Sequence, residues 1–271
     1  MGQIHADPFQ PIYRKKQYGR PVQGWQARLQ VYFWPDPSTD YAVTSRLIKP
    51  WFHRAGELSN VLLERGAWTE AQRAEGTALA WTMLEWGRVT RQGEFCPPTV
   101  ERVFRKALGL PVPGHVPMNG GWTKVAALAT AFLEDGPTGE PHVIWDSRVS
   151  TSLAHRLERL MLAAGLSQPK SMFPNIRPVM GRGGTRPRTR RLKWAHAYQR
   201  WSSQIRGSEL VREVRDELNR RGIPMPLPSK GARTWTVRGG RECAVHERLL
   251  DARSGLFGAS DLTPGAFSRP A

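Results

Sequence analysis

Cysteine is nearly absent from the chain. Cys96 and Cys243 are the only two in 271 residues, too few for a disulfide framework and at no zinc or iron–sulfur spacing. A reducing compartment is therefore expected, with no iron–sulfur cluster, no metal and no other cofactor. Long apolar runs are missing too. The most apolar unbroken stretch, Val125 to Leu133, falls far short of the roughly 20 residues that a bilayer-spanning helix needs. Met1 to Pro11 mixes His5, Asp7 and two prolines and has no secretory h-region. No membrane association and a cytoplasmic location are the expectation. Carboxylates are scarce relative to cations: 23 Asp+Glu stand against 40 Lys+Arg, a formal charge of +17. Such an excess repels itself in a folded chain, and a polyanionic partner is the economical explanation. The acids that do gather, Glu134, Asp135 and Glu140, lie on one loop, where solvated charge is the default. A metal-dependent nuclease or recombinase would need a carboxylate cluster, and none is visible. Convincing strands and internal repeats are also lacking; Leu29 to Trp34 is the best strand candidate and has no obvious partner.

What is plentiful is tryptophan, eleven in all, and helical periodicity. Residues 1–26, rich in Pro, Gly and basic groups (Arg14, Lys15, Lys16, Arg20), read as an irregular basic arm that touches phosphates. Residues 27–237 read as a mainly helical domain of two lobes. Leu47, Trp51, Leu58, Leu62 and Leu63 follow the 3.6 period, with Pro50 expected to break or kink the run. Thr69 to Gln72 has the form of a capping box and opens a helix through Val89. Pro97-Pro98-Thr99 starts a short helix closed by Gly109. A turn-rich linker, 110–121, precedes helices at 122–133 and from Asp146 or Ser147 to about Ala164. Beyond a long loop, 165–187, two helices are expected near 188–205 and 208–221. Residues 177–221 hold thirteen Lys/Arg against four Asp/Glu beside Trp194, Tyr198 and Trp201, a composition suited either to tracking a nucleic-acid backbone or to a solvated helix face. Residues 238–271 read as a weakly ordered tail.

Two short segments concentrate the chemistry. In Gly120-Gly121-Trp122-Thr123-Lys124-Val125-Ala126, a glycine turn runs into a helix, which predicts exposed N–H groups able to hold a phosphate. Lys124 falls in the first turn, where the helix dipole disfavours its cation and burial would lower its pKa further. A lysine tuned that way is a candidate nucleophile; a surface or phosphate-contacting lysine is the plainer reading. Asp146 lies 22 positions further on, at the next helix start, where a carboxylate caps the helix and can still face a cleft. Trp122 and Trp145 offer either base-stacking surfaces or core packing.

These segments resemble the signature of the helix-hairpin-helix DNA glycosylase superfamily, which includes 8-oxoguanine DNA glycosylase and endonuclease III. Thr123-Lys124-Val125-Ala126 matches the hairpin-to-helix part, and Asp146-Ser147-Arg148-Val149 matches the aspartate-bearing part. The motifs cover about residues 115–160, and the architecture about 40–220. Trp122 stands where the second hairpin glycine usually sits, and Arg148 replaces the usual histidine. The resemblance implies a two-lobed helical fold that flips a nucleotide out of double-stranded DNA. Asp146 and Lys124 would be catalytic, leaving an abasic site, with a lyase step if Lys124 attacks the sugar. It further implies DNA contacts by Gly120, Gly121, Thr123, Arg148, Arg186, Arg188, Arg190, Arg191 and Lys193, with Trp122 and Trp145 as stacking candidates, in a monomer. It extends to prokaryotic antiviral glycosylases acting on hypermodified phage cytosines such as glucosylated hydroxymethylcytosine; repair of an oxidised or alkylated base is the competing substrate. A non-catalytic DNA-binding or architectural protein on the same scaffold is the alternative, favoured if Asp146 lies buried away from any cleft.

Overall fold

The computed structural model describes residues 7–14, 16–89, 95–133, 141–176, 192–194 and 200–222, without the side chains of Trp25, Ser147, Arg148 and Ser152. The described residues are mainly helical. A two-residue hairpin, β1 (Ile12–Tyr13) with β2 (Lys16–Gln17), is followed by α1 (Trp25–Gln30), α2 (Tyr41–Arg65), α3 (Glu70–Trp86) and α4 (Pro97–Ala107). Then come α5 (Trp122–Thr130), α6 (Ser147–Ala163), the single turn α7 (Pro169–Met172) and α8 (Trp201–Arg220).

Local chemistry sets these ends. Asp40 accepts from the Val43 amide and caps α2, which Gly66 closes in the left-handed region at φ 76°. Thr69 and Gln72 form the reciprocal capping box that opens α3. Prolines fill the first turn of α4, where a missing N–H costs nothing.

Two clusters of buried apolar side chains result. The first gathers Phe52, Leu58 and Leu62 of α2, Met83 and Leu84 of α3, Val100, Val103 and Phe104 of α4, and Val125 and Leu128 of α5. Helix α5 is buried on every side, its Thr123, Lys124 and Thr130 included. Each such side chain contributes about 1.5–3 kcal/mol by leaving water. The second cluster joins Val149, Leu153 and Met161 of α6 to Val211, Val214 and Leu218 of α8, with Ile176 and Trp194.

Between the clusters runs the extended segment 141–146, whose side chains alternate. Val143 and Trp145 enter the second cluster and Ile144 the first, the period-2 pattern of extended backbone. Its polar backbone is satisfied from both sides. His142 N donates to Thr130 Oγ1 (2.8 Å), Val143 N donates to Ser208 Oγ (3.1 Å), and Gln204 Nε2 donates to Val143 O (2.7 Å). Buried Glu158 of α6 accepts from Leu192 N and Trp194 Nε1, each at 3.1 Å, and pins the 192–194 segment.

Several expectations are corrected. Residues 25–30 form α1, and the supposed strand 29–34 leaves only an isolated bridge from Phe33 to Asp40. Trp34 instead donates Nε1 to Trp86 O, so aromatic packing rather than a strand partner fixes this stretch. Pro50 does not break α2, which runs on through it; Arg46 and Pro50 both sit on its exposed face, so the carbonyl left without a donor meets water. The basic arm is not irregular throughout, since Phe9 is buried and Arg28 donates to Asp7 O (2.8 Å). One helix, α8, spans the expected break between 205 and 208, because Gly207 serves packing rather than termination. The tail 238–271 lies outside the described residues.

Candidate active site

The site begins with Asn119. Its Oδ1 accepts from the amides of Gly121 (2.8 Å) and Trp122 (3.1 Å), and its carbonyl accepts from Thr123 N (3.0 Å). The Lys124 amide donates to Gly121 O at 2.9 Å. The amides expected to lie open at the glycine turn thus have acceptors within the chain: those of Gly121, Trp122, Thr123 and Lys124 are each taken by Asn119 or Gly121. The turn folds Gly120 O inward, where it accepts from Thr123 Oγ1 (3.1 Å) and from Lys124 Nζ (2.9 Å).

Lys124 Nζ also donates to Asp146 Oδ2 at 3.0 Å. The pair is withdrawn from water, with side-chain exposure of 2% for Lys124 and 9% for Asp146. Glycine makes this approach possible. A Cβ on Gly87, just past α3, would fall 2.6 Å from Lys124 Cε, so only a bare backbone lets the lysine stem cross the end of α3. Asp146 divides its two oxygens between two tasks. Oδ2 holds Lys124, while Oδ1 accepts from Val149 N (3.2 Å) and Asp146 O accepts from Ser150 N (3.0 Å), which makes Asp146 the N-cap of α6. The dipole of α6 favours that carboxylate.

Chemically, this is an amine held against a carboxylate at low dielectric, each with a fixed partner. The carboxylate can take a proton from the amine or face a developing cation once the pair opens. Closed, it staples α5 to α6.

Both tryptophans proposed for stacking are core residues. Trp122 is 5% exposed and stacks on Phe95 at 5.6 Å, and Trp145 is 1% exposed, with its ring against Gly207. Neither presents a free face to a base. Arg148 is the second residue of α6, and its side chain lies outside the described set, as do Arg186, Arg188, Arg190 and Arg191. Lys193 is exposed.

Three residues beside the site were not singled out from sequence. Asn119 had a signal, since Asn before Gly-Gly at a helix start is an Asx-turn composition. Gly87 had none beyond looking like a helix end. His142 is the third: burial pushes its pKa down to about 4, against a backbone hydrogen bond at Ala107 that opposes the fall, so it is neutral at pH 7. Its Nδ1 meets Ser208 Oγ at 3.3 Å.

Among the described residues, no three or more His, Cys, Asp or Glu are grouped to hold a metal ion, and no helix is long and apolar enough to cross a membrane. Comparison of the chain with family models, curated proteins and solved structures finds no match.

Proposed function

We propose that this chain is a DNA glycosylase whose chemistry is carried by Asp146 and Lys124. The supporting observation is the direct contact of these two side chains, 22 positions apart in sequence and 3.0 Å apart in space, at the starts of consecutive helices. In this reading a nucleotide is flipped from the duplex, the N-glycosidic bond breaks with its electron pair leaving on the base, and Asp146 faces the cationic sugar. Water then attacks the anomeric carbon and leaves an abasic site. If the Lys124 amine attacks instead, after losing a proton to Asp146, a Schiff base forms and strand cleavage follows. Either course requires the pair to open. The excised base is a hypermodified phage cytosine or a damaged base, and the setting for the first is antiviral defence.

One observation favours the second reading, a non-catalytic DNA-binding protein: Asp146 is buried and already engaged at both oxygens.

Base release separates the two. Duplexes with plain sequence, with common lesions and with glucosylated hydroxymethylcytosine are incubated with the wild type, Asp146→Asn and Lys124→Gln, then treated with alkali. Alkali-labile sites that vanish in Asp146→Asn support the glycosylase, and borohydride trapping lost in Lys124→Gln reports the lyase step. Duplex binding without abasic sites on any substrate replaces the enzyme by the binding protein.

A further inference from the structure

Among the described residues only two non-glycines hold left-handed backbone, Arg14 at φ 49° and Arg88 at φ 52°. That conformation is unfavourable for any residue with a Cβ, so the surroundings must outweigh it. Arg14 turns the β1–β2 hairpin and Arg88 follows α3, 74 positions away in sequence, yet the fold brings them to one aromatic rib. The Arg14 guanidinium lies over the Tyr13 ring at 5.2 Å, and Tyr13 meets Phe33 edge-on at 5.9 Å. The Arg88 guanidinium lies over Trp34, the residue after Phe33, at 5.8 Å. Exposed Tyr18 packs on the same Phe33 at 5.5 Å. Lys16 and Arg20 are exposed on the same hairpin.

Arg54, Arg73, Arg206, Arg220 and Arg221 are tied to glutamates, whereas Arg14 and Arg88, like Arg20, Arg46 and Arg65, form no ion pair among the described residues; what sets the first two apart is the aromatic ring beneath each guanidinium. Asp36, whose carboxylate feels the fields of both, is committed to its own turn and accepts from Ser38 N (3.0 Å) and Ser38 Oγ (2.5 Å). Those bonds, with the fields of Arg88 and Arg14, hold it below the usual carboxylate range. A stacked guanidinium is oriented, weakly hydrated and keeps its fork free for a bidentate anion, the geometry a phosphate diester needs. The rib also leads to the site. Trp34 Nε1 donates to Trp86 O (2.7 Å), and Arg88 adjoins Gly87, over which the Lys124 stem passes.

We infer that Arg14 and Arg88, carried on the Tyr13–Phe33–Trp34 rib, hold backbone phosphates of the DNA duplex and lead it toward the Lys124–Asp146 pair. This rests on the DNA reading above, and it names a surface outside the basic run at 177–221.

The test is fluorescence anisotropy with a short labelled duplex across a salt series, using the full chain, Arg14→Gln/Arg88→Gln, and a control losing two exposed charges elsewhere, Lys49→Gln/Lys106→Gln. Losing two phosphate contacts is expected to weaken binding roughly tenfold at low salt and to flatten the slope of log K against log[salt] by about 1.8, with the control close to wild type. Circular dichroism confirms folding of each variant. An unchanged slope in the arginine pair, or an equal loss in the control, overturns the inference. Asp146→Asn is run in parallel: should base release be absent everywhere while the arginine dependence persists, the surface stands and only the enzyme reading falls.

Discussion

The two buried clusters differ in the balance of apolar area and buried polar bonds. The first is the larger apolar mass, in which helices α2 to α5 bury aliphatic and aromatic side chains and α5 has no exposed face, with a few polar bonds inside it such as Ser59 Oγ to Ala129 O. The second relies on buried polar groups at its critical joints. Gln204, Ser208 and Thr130 satisfy the extended 141–146 segment, and Glu158 pins the chain at 192–194. Apolar packing is non-directional and tolerates adjustment, whereas a buried hydrogen-bonding group is costly the moment its partner goes. The Lys124–Asp146 bond is the point where the regions meet, its lysine from the first and its aspartate from the second.

Cutting the joint itself should have the largest effect. Asp146→Ala leaves Lys124 buried opposite no carboxylate and uncaps α6, and is expected to cost about 3–5 kcal/mol. Asp146→Asn keeps a capping oxygen and an acceptor and should lose much less. Urea unfolding of both variants checks this; equal losses would mean that the charge at 146 contributes little.

The second expected effect is on pH. Unfolded His142 protonates near its ordinary 6.5, while in the fold it stays neutral down to about 4. The unfolded chain therefore binds more protons between those values, so this contribution to stability is complete above pH 6.5 and is lost as pH falls toward 4. Its size is up to about 3 kcal/mol. Denaturant midpoints measured from pH 7.5 to 4 should fall across that window, and His142→Gln should flatten the dependence. A flat profile in the wild type would place His142 in water.

Two glycines sharpen the contrast further. A Cβ on Gly207 would lie 2.3 Å from the Trp145 ring, and one on Gly87 would lie 2.6 Å from Lys124 Cε. The indole is wedged in a core and cannot retreat, so Gly207→Ala should cost about 1–3 kcal/mol. The lysine stem is flexible, so Gly87→Ala should cost less stability but displace the amine from Asp146. Thermal melts read the first effect; any base-release activity reads the second.

How much of this was legible beforehand follows the same division. Capping chemistry is local, so Thr69–Gln72, Pro97-Pro98 and the start of α6 after Asp146 were readable within a few residues. The approach of Lys124 to Asp146 was inferred from two helix starts joined by one loop, and the structure puts their side chains 3.0 Å apart. Long-range packing was not legible. Gly207 and Gly87 look like helix breakers in sequence, and only the ring or stem pressed against each explains it. Trp122 and Trp145 read as core first and base-stacking surfaces second, because an indole's role depends on what the rest of the chain covers it with. The 29–34 stretch is rich in strand-favouring residues, yet it follows the aromatic contacts of Trp34 and Phe33.

The smallest predicted effect bears on the glycine turn. Asn119→Ala removes the acceptor for the Gly121 and Trp122 amides and should cost about 1 kcal/mol, the usual value of an N-terminal cap. Asn119→Asp keeps the acceptor, adds a charge that the helix dipole favours, and should be near wild type. The variants also sharpen what the turn is for. With the asparagine side chain gone, two amides at a helix N-terminus become free donors, the arrangement that binds phosphate. Added inorganic phosphate should then stabilise Asn119→Ala more than the wild type in a thermal melt. If it stabilises both equally, the amides were accessible all along, and the turn returns to the role of a phosphate seat.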